Sequence, residues 1–294
     1  MTVWGELAAL TAAMVWAIGA LVYANLGATL SPLTINVAKG LVAVPFLAIA
    51  IGVMAVPIPV LSPTDWLWLT LSGFIGITLG DSAFLQALPQ LGPRRLLVLE
   101  TLAPVFATIL ATIFLQELLT LPRLGAIALV VSGVVWVLRE RPYGDRADFP
   151  VTRSAVGWGI LAALCQAVGV VLSRAALANS DLDPLWSSLW RIGVGVGILW
   201  LVAGRSRLVA PLAALKLRPW LNLVGAALLT TFLGIWLQQT ALKLSPAGIA
   251  QTLTATSPIF ILLITALQGK PLPLGAVGGV ILALGGVALL FLNP

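Results

Sequence analysis

The sequence contains no histidine, one cysteine (Cys165), two tyrosines and very little charge, since only 9% of its 294 residues are Asp, Glu, Lys or Arg. One cysteine makes no intrachain disulfide, and without histidine there is no Cys-His or Ser-His pair, no imidazole relay and no zinc or haem ligand set. The shortage of charge excludes more. Soluble domains are about 25% charged, whereas this chain is 60% hydrophobic with a mean hydropathy of +1.08. Too few polar side chains exist to cover a water-facing surface, so the exterior must face lipid.

What the chain does have is a succession of long apolar runs. About 20 apolar residues cross a roughly 30 Å hydrocarbon core, and divisions at Pro, Gly and charge clusters predict ten membrane helices, at 4–24, 33–56, 66–88, 96–116, 121–138, 155–177, 184–204, 220–242, 247–268 and 273–292. Connections are short except near 140–153 and 205–219, which leaves no extramembrane domain. The start, Met1 to Glu6, lacks a basic segment, so the first run reads as a retained span and not a cleaved signal. Trp66, Trp68, Trp158, Trp186 and Trp220 fall near span ends, as an interfacial belt requires; Trp16 and Trp236 do not.

The net charge of +6 does not indicate nucleic-acid binding, because the basic residues cluster between apolar runs. One group is Arg139, Arg141, Arg146 and Arg153; the other is Arg205, Arg207, Lys216 and Arg218. With both termini outside, these groups, Arg94, Arg95 and Lys270 all face inward, as the positive-inside rule favours. Arg123, Arg174 and Lys243 then remain outside.

Sliding the second half onto the first by about 154 residues aligns Gly5-x-Leu7-Ala8-Ala9-Leu10 with Gly159-x-Leu161-Ala162-Ala163-Leu164. The same shift aligns Trp66-Leu67 with Trp220-Leu221, Gly80 with Gly234, and Pro104-x-Phe106 with Pro258-x-Phe260. A slip of two residues aligns Ser31-Pro32-Leu33 with Asp183-Pro184-Leu185, and Lys39 with Arg191. The first match is one that two Ala/Leu-rich helices produce by chance; tryptophan, prolines and an intramembrane cation in order are not. Residues 1–139 and 154–294 therefore read as two five-helix repeats joined by a polar linker, 140–153. An odd number of spans per repeat inverts the second copy, giving an all-α membrane protein of ten transmembrane helices in two inverted repeats. Such halves commonly enclose a midplane site that rocking exposes to each side alternately.

These residues resemble the EamA-type branch of the drug/metabolite transporter superfamily over essentially the whole length. The likeness rests on a proline followed seven residues later by a cation in each second helix (Pro32 and Lys39; Pro184 and Arg191) and on a proline in each fourth helix (Pro104; Pro258). It also rests on Gln116-Glu117-Leu118-Leu119-Thr120 before a Gly-rich fifth helix, Leu124-Gly125 through Ser132-Gly133-Val134. The second-half connector, Gln268-Gly269-Lys270-Pro271-Leu272, carries Lys270 where the family pattern usually shows Glu. The resemblance implies a ten-helix carrier of small metabolites, often an exporter of amino acids or related compounds.

Four charges lie well inside predicted spans: Lys39, Asp81, Glu100 and Arg191. An ionised side chain at a span centre costs about 2.5–3.5 kcal/mol on insertion scales, so such residues face a polar interior and pair. Two readings stand: partners displaced by a substrate carrying both an ammonium and a carboxylate, or fixed ion pairs that hold the bundle together. Asp81 and Glu100 are the candidates for proton coupling. Gln251, Thr254 and Pro258 share one helix face, and Thr254 is the repeat mate of Glu100. Thr231, Gly234, Trp236, Gln238 and Gln239 crowd one part of the eighth span, while Asn36, Ser82 and Gln86 are the first half's neutral polar groups. Trp16, Tyr23 and Trp236 are either aromatic walls or ordinary packing. Gly193-x-Gly195-x-Gly197 and Gly275 with Gly279 read as close-packing faces, within the chain or between two copies. Pro104 and Pro258 should loosen the backbone at a gate or a tolerated kink.

The expected protein is a secondary transporter of the cell membrane, an exporter working by alternating access on an amino acid or similar small metabolite, and not an enzyme. Its expected substrate-binding residues are Lys39, Asp81, Glu100, Arg191, Trp236, Gln239, Gln251 and Thr254, with no cofactor, no metal and no nucleic acid, as monomer or homodimer. The rivals are an exchanger of anionic or phosphorylated metabolites, with Lys39 and Arg191 as clamp, and a passive channel. A membrane enzyme would need a nucleophile, metal or acid/base motif that the sequence does not present.

Overall fold

The 28 glycines and 19 prolines mark where helices start, break and touch. The computed structural model describes residues 3–115, 121–139, 151–178, 180–245, 247–269, 272 and 274–292, and all regular structure among them is helical. The connector 116–120, residues 140–150 of the linker, and Lys270 with Pro271 lie outside the described residues.

In the first half, α1 is Val3–Leu26 and α2 is Pro32–Val53. Next, α3, Pro63–Ser72, runs through a π-helical stretch, Gly73–Asp81, into α4, Ser82–Leu99; α5 is Leu102–Leu115 and α6 Leu121–Arg139. In the second half, α7 is Arg153–Ala178, α8 Pro184–Ala203 and α9 the short Arg205–Ala213. Then α10, Leu217–Ala226, runs through a second π-helical stretch, Ala227–Gly234, into α11, Ile235–Leu244, followed by α12 (Ala247–Thr254), α13 (Ser257–Leu267) and α14 (Leu274–Leu292).

Local chemistry explains the matching parts. Helices α2 and α8 both start with a capping side chain and proline in the first turn: Thr34 N donates to Ser31 Oγ (3.1 Å) and Leu185 N to Asp183 Oδ1 (2.8 Å). The π-helical stretches begin at Gly73 and Ala227, 154 residues apart. Their wider turns loosen the carbonyl ladder, and a side chain reaches into each: Asn36 Nδ2 donates to Ile77 O (3.0 Å) and Trp16 Nε1 to Thr230 O (3.3 Å). The chain bends at Gly92 (φ 75°) inside α4. It breaks at Glu100–Thr101 and again at Ala255–Thr256. Pro104 and Pro258 follow, and a proline ring excludes the helical bond to the carbonyl four residues back, which here belongs to Glu100 and Thr254. Those carbonyls accept instead from Ala103 N (2.9 Å) and Ser257 Oγ (3.0 Å).

The two halves interlock. Helix α1 packs on α10 through α13 of the second half, whereas α7 packs on α3, the first π-helical stretch, α4 and α5. The repeat-related helices α2 and α8 face each other, as do α6 and α14. Glycines set these approaches: Gly80 is close against Cys165 of α7, and Gly234 against Trp16 of α1, where an added Cβ would lie 3.0 and 2.8 Å away. Between α6 and α14, a Cβ on Gly133 would stand 2.6 Å from Gly279 O, so this small-residue face serves packing within the chain. In the predicted Gly193/Gly195/Gly197 face only Gly195 is tight, 2.6 Å from Ile77 Cβ, with Gly193 and Gly197 in open space. Arg174 of α7 donates to Leu242 O and Lys243 of α11 to Leu177 O (3.1 Å), a reciprocal capping of two helix ends.

Among the described residues six segments are long and apolar enough to cross a membrane: Val3–Leu26, Pro32–Val53, Pro63–Leu99, Arg153–Ala178, Pro184–Ala203 and Leu217–Leu244. Shorter apolar helices span Leu124–Arg139, Ser257–Leu267 and Leu274–Leu289. Polar side chains such as Asn36, Gln239 and Arg191 are buried while Phe46, Ile49, Leu201 and Ile281 are exposed. That inside-out distribution suits lipid as the solvent.

Candidate functional site

Between the interlocked halves lies a cavity of about 140 Å³, roughly ten times the space one water needs. From the first half it takes Trp16, Gly19, Ala20 and Tyr23 of α1, Lys39 of α2, Gly80 and Asp81 of the first π-helical stretch, Phe84 and Leu85 of α4, Glu100 at the break and Pro104 of α5. From the second half come Gln166 of α7, Arg191 of α8, Thr230 and Thr231, Gln238 of α11, and Gln251, Thr254 and Ser257 around the second break. Among the described residues α6 and α14 supply none of the lining; they pack on each other.

All four intramembrane charges reach this cavity, but they are held differently. Lys39 forms an ion pair with Asp81, with side-chain exposures of 10% and 26%. Asn36, one turn earlier on α2, braces the pair by donating Nδ2 to Ser82 Oγ (2.9 Å) as well as to Ile77 O. Arg191 is 1% exposed, and its Nε and Nη1 find no acceptor among the described residues; Glu100 Oε1 likewise has no donor there. The amide nitrogens of Gln238 and Gln251 are also buried without an acceptor. Buried polar groups are almost always hydrogen-bonded, so several in one cavity point to a polar ligand. Tyr23 OH and Thr230 Oγ1 are 3.0 Å apart, and with Trp16 they tie α1 to the second π-helical stretch.

Of the residues expected from sequence, the structure brings Lys39, Asp81, Glu100, Arg191, Gln251 and Thr254 to the cavity. It does not bring Trp236 or Gln239 there. Trp236 packs on Phe232, ring centres 6.2 Å apart, in an apolar cluster with α2 and α8. Gln239 is fully buried and accepts from Ser173 and from Ser187 Oγ (2.9 Å), joining α11 to α7 and α8. Their sequence neighbour Gln238 faces the cavity instead, since adjacent helical residues point about 100° apart. Gln166 and Thr230 escaped the sequence reading. A lone amide in an apolar span was a usable signal for Gln166, but nothing in the sequence marks Phe84. Among the described residues no group of three or more His, Cys, Asp or Glu side chains stands ready to hold a metal.

Comparison with known proteins agrees with this two-part architecture. Curated proteins give no match. A solved structure titled only as the crystal structure of a protein is similar at 17% identity, with a TM-score of 0.70 over 98% of this chain and 96% of that one, a likeness of fold. The model of the EamA-like transporter family matches twice, over residues 3–139 and 153–292. With nearly the whole chain accounted for in two copies of that pattern, this multi-pass membrane protein belongs to the EamA-like transporter family.

Proposed function

We propose that the protein is a secondary transporter of the cell membrane that exports a small polar or amphiphilic metabolite, an amino acid in the first instance, by alternating access. Its ten spans form two five-helix repeats of opposite orientation. The Gly92 bend separates the third crossing from the fourth, and each proline-marked break lies within a single crossing. The reading rests on one observation: a cavity walled by both halves holds a closed ion pair, Lys39–Asp81, beside an unpaired cation and an unpartnered carboxyl oxygen, Arg191 and Glu100. A zwitterion supplies what each lacks, a carboxylate for Arg191 and an ammonium for Glu100. Both groups are in low dielectric, where such pairing is strong.

Uptake of an amino-acid panel into liposomes containing the protein tests this. Saturable flux is expected, lost on substitution of Lys39, Arg191 or Glu100 in protein that still folds; unchanged flux in all three variants overturns the site. An imposed pH gradient tests proton coupling through Asp81 or Glu100, and indifference to it indicates facilitated diffusion or exchange. Competition by sugar phosphates in place of amino acids favours the anion exchanger, and flux that never saturates favours a channel.

A further inference from the structure

Lys39 and Arg191 are repeat mates on facing helices, yet their seats differ. The backbone of Arg191 rides on Gly73, where an added Cβ would be 2.5 Å from Arg191 O and 3.0 Å from its Cα. Its guanidinium lies over Gly76, 3.2 Å from Nη2 to where a Cβ would be. The 154-residue counterparts of these glycines, Ala227 and Thr230, belong to the second π-helical stretch, which packs on α2, the helix of Lys39. Thus glycines stand against the bulky planar cation, whereas the corresponding positions of the other repeat carry larger side chains, and Thr230 is turned to Tyr23 and Gly19 of α1. Gly76 is itself pressed by α7, since a Cβ on Gly169 would come within 3.1 Å of Gly76 Cα. The guanidinium therefore has little latitude except toward the cavity.

We infer that Arg191 alone is the anion-binding group of the cavity, and that Gly73 and Gly76 are positioning residues that seat it there. This deepens the carrier reading above and rests on it. Lys39 already has a carboxylate, Asp81, so two free cations do not stand ready to clamp a doubly charged phosphate. Arg191, 99% buried with two donor nitrogens unmatched, offers charge-assisted hydrogen bonds to one planar anion. The chemical class recognised is a monocarboxylate group on a small molecule. Lining by Trp16, Tyr23 and Phe84 gives that molecule an aromatic or apolar remainder.

The test is labelling of the full-length protein by phenylglyoxal, which attaches to guanidinium groups, read at Arg191 by peptide mass spectrometry. Benzoate is the carboxylate probe, benzylamine its cationic counterpart and inorganic phosphate the dianion. Benzoate is expected to slow labelling of Arg191 about tenfold in the wild type and in Gly193→Ala, whose added methyl meets open space, while benzylamine does not. Gly76→Ala should lose that protection. Equal protection in Gly76→Ala overturns the seat, as does phosphate protection that disappears in Lys39→Met. Should Gly76→Ala fail to fold, Gly76→Ala with Arg191→Lys restores room and is expected to fold like Arg191→Lys alone; a double variant that also fails makes Gly76 a packing residue only. Benzoate protection without transport of any amino acid overturns the carrier reading and keeps the subsite. Transport without benzoate protection does the reverse.

Discussion

Lys39 and Arg191 occupy corresponding places in the two halves, seven residues after matching prolines, but only Lys39 has a carboxylate partner. The cause lies in the acids. Asp81 and Glu100 both belong to the first half, and their 154-residue counterparts are Ile235 and Thr254. Lys39 therefore takes Asp81 from its own half, and neither of the two acids belongs to the half of Arg191. A near-symmetric scaffold thus carries an asymmetric site, which is what recognition of a ligand with two different ends requires.

Substitutions that erase the asymmetry should have the largest effects. Arg191→Gln removes a buried, uncompensated charge, so uptake should fall about 100-fold, the loss of a charged hydrogen-bond pair. The apparent melting temperature should stay level or rise, because no protein partner is stranded. A fall in both would make Arg191 a structural group. Asp81→Asn should act oppositely on stability. It strands Lys39, and since Asp81 is about a quarter exposed the cost is about 1–3 kcal/mol, below that of a fully buried pair. Restoration of the melting temperature in Lys39→Met with Asp81→Leu would confirm the pair as the cause, and its absence would refute it. The smallest effect is expected away from the cavity. Gln239→Ala leaves the hydroxyls of Ser173 and Ser187 unmatched and should cost about 1–2 kcal/mol while the KM for transport stays unchanged; a shifted KM would place Gln239 in the substrate path.

Much of this was legible in the chain. Apolar runs, prolines and a 154-residue offset suffice for a membrane protein with duplicated halves, because lipid demands satisfied backbones and long apolar surfaces. The four intramembrane charges stood out because each is costly in hydrocarbon. Less legible was which neutral polar residues join them. Gln238 and Gln239 are adjacent and chemically identical, and the helix rotation that separates cavity from serine cluster depends on the π-helical stretch at Ala227–Gly234, which shifts the phase of every residue after it. Trp236 went with Gln239 for that reason, to an apolar contact with Phe232.

The sequence by itself determined the solvent, the helical class, the repeat and the short roster of charges, since each follows from composition and local spacing. Only the tertiary structure decided which cation is paired and which is free. That outcome depends on α1 and α7 crossing into the opposite halves and on Gly73 and Gly76 admitting Arg191, contacts between residues far apart in the sequence that no local pattern encodes.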